Sequence, residues 1–434
     1  MRRSRSQPLT LQACARCHRY FTCTASLSTP PPYLNPAPPT TRTRSLYYNN
    51  RFHNPWPSFK EKTFLDRLSD IRRWWSQPKH DPFNPSSYPS NTFPYPYSHS
   101  GRIDVEHELP IAAPDFGRLG RECAGKRGAV GYTWIGHATS LIQLHNLTIL
   151  TDPWFSQRPS AWQRVGPRRF RPPACQLKDL PPLDVIVISH SHFDHLDYTS
   201  VKALQERVAI QQRDTGRVCR WYVPLGMKSW LRRWAAVDDE LCVEMDWWEE
   251  RTVAARSATS GDGDGLDVSE YRVTCVGAQH WTSRLAMIDN RWQLWCGFVI
   301  SVPPPNYSPA LPAASQPPMH IYYSGDTGYC PAFQEIGDHF SRIHLSLLPI
   351  GAYEPEWLLN GAHVHPRDSV RIHRDVRSQH SVAVHWGTVK LSDEMVMAPK
   401  LELERAAREA GLAEDEFITT AHGRTMLLNN GKWS

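Results

Sequence analysis

The stretch from Ser189 to Asp197 reads Ser-His-Ser-His-Phe-Asp-His-Leu-Asp, and it constrains the chain more than any other. His190, His192, Asp194 and His195 stand in it at an H-x-H-x-D-H spacing. The apolar run Val185-Ile186-Val187-Ile188 precedes it, the pattern of a strand buried on both faces. Asp197 is placed to cap a helix running through Val201, Leu204 and Val208. Four metal-type ligands therefore crowd the loop leaving a buried strand, where open α/β sheets build their sites. Imidazole and carboxylate donors suit a borderline divalent cation such as zinc. Three His and one Asp within six positions cannot all join one tetrahedral ion that also takes ligands from elsewhere. The natural division assigns His190 and His192 to one ion, and Asp194 and His195 to a second. Two ions about 3.5–4 Å apart can clamp an in-line displacement.

Other segments accompany this motif in a fixed order. They are Tyr132-Thr-Trp-Ile-Gly-His-Ala-Thr139, Leu150-Thr-Asp-Pro153, Gly166-Pro-Arg-Arg-Phe-Arg171, Gln279-His-Trp281, Gly325-Asp-Thr-Gly-Tyr-Cys330, Pro349-Ile-Gly-Ala-Tyr-Glu-Pro355 and His385-Trp-Gly387. The central motif alone resembles the metallo-β-lactamase superfamily. The ordered set, from about Arg51 to the C-terminus, resembles its N-acyl-phosphatidylethanolamine-hydrolysing phospholipase D family. That resemblance implies an α/β fold, the αββα sandwich of the metallo-β-lactamases, with an N-terminal extension. It implies hydrolysis of N-acyl-phosphatidylethanolamine to N-acylethanolamine and phosphatidic acid. It also implies two zinc ions, with His190, His192 and His280 on one, Asp194, His195 and His385 on the other, and Asp326 bridging both. Tyr271–Val276, Ile321–Ser324 and Ser381–Val384 read as the strands that deliver His280, Asp326 and His385.

The resemblance implies catalytic roles for Asp194, which would orient the nucleophile as well as bind metal, and for His363, which would assist substrate or leaving group. Two positions depart from the family: Phe193 stands where Tyr is frequent, and His365 replaces an acid two residues beyond His363. If that acid tunes His363, the exchange weakens the role. Asp184, Ser189 and Asp197 are candidates to orient imidazoles. Asp152 ends a strand near the site and reads as a supporting group. For His137, a structural role is favoured over one facing substrate.

Residues 1–45 read as a disordered basic, Pro-rich presequence. No Asp or Glu precedes Glu61, while Arg2, Arg3, Arg5, Arg16 and Arg19 do, a mitochondrial transit composition. The haem-like Cys14–His18 pattern within it is discounted, because no core surrounds it. Residues 46–125 read as an N-terminal extension and 126–434 as the catalytic domain. Within the extension, Glu61–Ser76 reads as an amphipathic helix with Phe64, Leu68, Ile71 and Trp75 on one face. It is balanced between docking on anionic lipid and packing on the core. The glycine-rich Gly261–Gly265 reads as a flexible insertion.

The expected partners are a phospholipid substrate and a peripheral membrane surface, with a homodimer allowed. The expected location is mitochondrial, with the cytoplasmic face of other membranes as the alternative. The net charge of +6 does not favour a nucleic-acid partner. A lactonase, another phosphodiesterase and a non-catalytic membrane scaffold are the competing functions. Intact ligands at all seven positions argue against the scaffold.

Overall fold

The computed structural model describes residues 42–88, 102–125, 128–160, 163–254, 270–285, 288–304, 311–312 and 315–434. Residues 1–41 of the expected presequence, the Cys14–His18 pattern and the Gly261–Gly265 stretch lie outside the described residues. A hairpin of β1 (Leu46–Tyr48) and β2 (Arg51–His53) comes first. Helices α1 (Phe64–Ser76), α2 (Val105–Glu108) and α3 (Phe116–Gly125) follow. Next come β3 (Val130–Gly136), β4 (Thr139–Leu144), β5 (Leu147–Thr151), β6 (Val185–Val187), α4 (Tyr198–Thr215), β7 (Arg220–Pro224), α5 (Lys228–Trp230) and β8 (Cys242–Met245). The second half holds β9 (Glu250–Ala254), β10 (Glu270–Val276), β11 (Gly297–Val302), β12 (Met319–Tyr323), α6 (Ala332–Phe340), β13 (Ile343–Pro349), α7 (Glu356–Leu359), α8 (Pro366–Asp375), β14 (Ser378–Val384) and α9 (Ala398–Glu409). Three short strands close the chain: β15 (Phe417–Ile418), β16 (Thr425–Asn429) and β17 (Lys432–Trp433).

These strands make two large sheets, ordered β17-β16-β3-β4-β5-β6-β7-β8 and β15-β14-β13-β12-β11-β10-β9. Alternation along each strand of the first sheet sends its two faces to different cores. Ile142, Ile149, Val185, Val187 and Tyr222 join the core shared with the second sheet. Leu141, Leu150, Ile186, Ile188 and Trp221 join a separate core under α4, with Val201, Leu204 and Val208. Both faces of β6 are thus covered, which is why it is written as an unbroken apolar run. On the far side of the second sheet, α6 and α8 bury Phe333, Ile336, Val370 and Ile372, completing the αββα order.

The pairing is parallel from β5 through β8 and again from β12 through β15. The C-terminal ends of both parallel groups meet at one end of the sandwich, and the ligand loops leave from there. The boundary expected at residue 126 falls between α3 and β3. The helix packs tightly on the strand, since a Cβ at Gly131 would lie 2.5 Å from Leu119 Cδ2.

Three element boundaries differ from expectation. The apolar pattern of Gly131–Leu144 reads as one strand in the sequence, but the strand is broken at His137 and Ala138, where His137 takes φ +57°. The helix expected from Glu61 begins at Phe64, because Thr63 and Asp66 form a capping box. Glu61 instead pairs with His53 and Arg291. Met227–Ala236 reads as one helix in the sequence, but it is the single turn α5 followed by a π-helical turn, Leu231–Ala235. It stops at Ala236, which is left-handed at φ +55°. Leu204 lies at the centre of the α4 core and is fully buried. Leu204→Ala should cost about 2–5 kcal/mol of stability, read as a lowered Tm, with metal content per folded molecule unchanged.

Candidate metal centre

Each candidate ligand sits just past a strand end. The β6 exit carries His190, His192, Asp194 and His195; β10 leads to His280, β12 to Asp326 and β14 to His385. All seven converge on one region. His190 Nε2 lies 2.9 Å from His192 Nδ1, and His280 Nε2 lies 3.2 Å from the same atom. Asp326 Oδ2 is 3.2 Å from His195 Nε2 and 3.1 Å from His385 Nε2. It is also 4.0 Å from His190 Nε2 and 4.0 Å from His280 Nε2. One carboxylate oxygen therefore faces both imidazole groups. Asp194 Oδ2 lies on the second side, 3.5 Å from His195 Nε2 and 3.7 Å from His385 Nε2.

These residues fit cations. The buried Nε2 atoms of His195 and His385 and Oδ1 of Asp326 have no hydrogen-bond partner among the described residues. Polar atoms left without partners in the interior and pointed at one another are costly unless a cation takes them, displacing any proton they carry. The donor set, five imidazoles and two carboxylates, is that of a borderline divalent ion.

The orienting layer rests on Asp152. Its carboxylate accepts the Nδ1 proton of His195 at 2.6 Å and the Ser189 backbone N–H at 2.7 Å. The Ser189 and Tyr323 hydroxyls donate to it as well. Ser189 Oγ lies 2.9 Å from His190 Nδ1 and can accept its proton. One buried acid thus sets the tautomer of a ligand in each group. His280 is set separately, by Nδ1 donation to the Ala362 carbonyl at 2.8 Å.

Ser189 orients an imidazole as expected, and two other candidates do not. Asp184 lies before β6, at the end of the strand away from the ligands. It accepts from Thr148 N–H at 2.7 Å and from Arg217. Asp197 caps α4 through the Ser200 N–H at 3.1 Å. His137, expected to be structural, is at the centre itself, with Nε2 2.9 Å from Asp194 Oδ2. Sequence reading missed Arg284, which donates to the Ser191 and Leu196 carbonyls, each at 2.8 Å, and so grips the ligand loop. Its guanidinium lies 4.1 Å from the Phe193 ring and 4.6 Å from Trp230. Stacking of this kind needs only a ring, so Phe193 serves without a hydroxyl. An arginine beside a turn carries no periodic signal that could have revealed it.

His363 Nδ1 lies 3.7 Å from Asp326 Oδ2 and has no hydrogen-bond partner among the described residues. Burial lowers its pKa to about 4, so its ring is neutral near pH 7. His365 caps α8, accepting the Arg367 N–H at 3.2 Å, and its ring packs on Tyr353. The substituted residue is thus committed to the helix start.

The two imidazole groups differ in protonation. Burial and neighbouring imidazoles hold His190 and His280 well below the ordinary histidine range, and burial takes His192 to about 4. Burial also disfavours a proton on His195, but Asp326, Asp194 and Asp152 outweigh it and raise the group well above its usual value. His385, against the same burial, is raised to about 9 by Asp326 and Asp194.

A family profile described as a beta-lactamase superfamily domain matches residues 147–386. A Caenorhabditis elegans protein named N-acyl-phosphatidylethanolamine-hydrolyzing phospholipase D 1 is 32% identical over 297 residues, which cover 67% of this chain and 74% of that one. A Saccharomyces cerevisiae protein named N-acyl-phosphatidylethanolamine-hydrolyzing phospholipase D, mitochondrial, is 30% identical over 295 residues, 68% of this chain and 55% of its own. Among solved structures, an isothiocyanate hydrolase from Delia radicum gut bacteria aligns with TM-score 0.46 and 18% identity, over 68% of this chain and 98% of its own.

Two predictions follow the protonation and the orienting layer. A cation entering the His195 and His385 side must displace protons there. Its affinity should fall about tenfold per pH unit for each proton displaced as pH drops. The His190, His192 and His280 side is already unprotonated, so its affinity should stay nearly flat across about pH 6–8. Chelator competition at several pH values checks this, and equal slopes for the two sides would refute it. Asp152→Asn removes the shared charge-assisted acceptor and should weaken metal retention about 10–100-fold, measured by metal content after dialysis.

Proposed function

Since the chain belongs to the metallo-β-lactamase superfamily, and within it to the N-acyl-phosphatidylethanolamine-hydrolysing phospholipase D family, we propose that this metal-dependent hydrolase cleaves N-acyl-phosphatidylethanolamine to N-acylethanolamine and phosphatidic acid. The observation that carries the reading is the doubled ligand set around Asp326, beside a neutral His363 whose Nδ1 has no hydrogen-bond partner among the described residues. His190, His192 and His280 would hold one zinc ion, Asp194, His195 and His385 the other, with Asp326 between them. Such a pair would polarise the phosphoryl group and acidify a water near neutral pH. Asp194 would orient the attacking oxygen from the side of His195 and His385. His363, neutral and beside Asp326, would accept the proton given up by the attacking water and pass it to the departing oxygen. Asp152, through Ser189 and His195, would keep the ligands in their orienting tautomers while charge develops.

The surface beside the site supports a lipid substrate. Leu65, Leu68, Ile71 and Trp75 of α1 are exposed, Leu65 and Trp75 each at 74%. They therefore do not pack on the core, while the neighbouring Trp74 donates its indole N–H to Asp393 and ties the helix down. Arg67 of α1 lies 5.8 Å from Trp281, whose ring packs 4.5 Å from that of His192. An apolar face with arginines alongside, next to the metal ligands, suits an anionic bilayer from which a phospholipid is drawn. Among the described residues no helix is long and apolar enough to cross a membrane. The basic, acid-free N-terminal sequence and the yeast relative's name support a mitochondrial location.

The test is product analysis of the full chain with N-acyl-phosphatidylethanolamine in mixed micelles, beside Asp194→Asn. Phosphatidic acid and N-acylethanolamine should be released by the parent chain and lost by at least about 100-fold in the variant. Bound metal with neither product would overturn the substrate and turn attention to lactones and other phosphodiesters.

A further inference from the structure

The imidazoles of this centre are not all held in the same way. The far ring nitrogen of His190 is held by Ser189, that of His195 by Asp152 and that of His280 by the Ala362 carbonyl. His385 Nδ1 has no such partner among the described residues. What fixes His385 is its backbone, since its N–H donates to the carbonyl of His137 at 2.9 Å. His137 also reaches the other ligand of the same group, with Nε2 2.9 Å from Asp194 Oδ2.

His137 is itself firmly placed. It takes φ +57° at the turn between β3 and β4. Its N–H donates to Thr388 Oγ1 at 2.9 Å, and its carbonyl also accepts the Trp134 indole N–H at 2.8 Å. The ring is buried, edge-on to Trp154 with centroids 5.0 Å apart, and its centroid lies 4.1 Å from that of His385. A left-handed non-glycine residue pinned on both backbone groups is an expensive way to make a hairpin. Here it brings one residue against two ligands at once.

We propose that His137 is a positioning residue for the second cation: its ring N–H holds the Asp194 carboxylate, and its carbonyl holds His385. The inference rests on the two-ion reading of the centre and is independent of the substrate. Loss of the ring frees Asp194 to rotate, while the backbone bond to His385 remains. The second ion is then held less tightly, and the ion on His190, His192 and His280 is held as before.

The experiment uses the full chain, H137A and H137Q, loaded with zinc and dialysed against graded chelator. Bound metal is counted, and Tm is measured on the metal-free proteins. The parent should hold two ions. H137A should release one of them at about 10–100-fold lower chelator and keep the other, with its metal-free Tm near that of the parent. H137Q should recover most of the loss, because the glutamine amide N–H reaches where the ring N–H stood and carries the same backbone strain. A parent with two ions and an H137A indistinguishable from it would overturn the inference alone. Loss of both ions together, with a lowered metal-free Tm, would reduce His137 to a structural residue. An H137Q as defective as H137A would make the His137 nitrogen a ligand rather than a donor. A parent that binds one ion would overturn the two-ion reading and this inference with it.

Discussion

A single buried carboxylate organises the centre. Asp152 has no exposed surface and accepts hydrogen bonds from Ser189 N–H, Ser189 O–H, His195 and Tyr323. Three of these donors reach Oδ2 and one reaches Oδ1, so both carboxylate oxygens are engaged. A charge in such a place is tolerated only when so completely satisfied. The four donors come from three places in the fold: the exit of β6, which supplies both Ser189 groups, the ligand loop itself and the end of β12. Burial and the neighbouring Asp152 both hold the Tyr323 phenol well above its usual range, so it stays a donor. The ligands can be rigid because this acid would be unstable in any arrangement that left them loose.

The sheets bring those demands together. Parallel strands point their C-terminal ends the same way, and two parallel groups face each other across the sandwich. Residues 190 and 385 are far apart in sequence and adjacent here because β6 and β14 end at the same level. Small residues allow the approach. Gly325, at φ +62°, turns the chain so that Asp326 enters the centre, and a Cβ there would lie 2.5 Å from that of Ser189. The outer layers have separate tasks. The core under α4 supports the ligand loop from behind, while α1 leaves its leucines to solvent beside the opening.

How much of this was legible in the sequence depended on how local the cause was. The H-x-H-x-D-H loop, the buried β6 and the Asp197 cap are short-range patterns, and the structure contains them at the expected residues. His280, Asp326 and His385 carry no local mark beyond following a strand, and the family resemblance pointed to them. Asp184 and Asp152 mark the limit from two sides: both are acids next to strands, and Asp152 read as a supporting group is one, whereas Asp184 read as an imidazole orienter is not. Only the direction of β6 puts Asp184 at the far end with Arg217, and only the pairing of β5 with β6 puts Asp152 under His195.

The sequence by itself determined the chemistry on offer, a set of imidazoles and carboxylates delivered by strand ends, along with an amphipathic α1. Spacing and periodicity encode these within one or two turns of chain. The tertiary structure decided which atoms face which. It made Asp326 common to both imidazole groups, turned His137 onto Asp194, committed His365 to capping α8 and left the α1 leucines exposed. Those outcomes depend on sheet pairing and on the relative reach of side chains separated by many tens of residues, for which no stretch of sequence holds a local record.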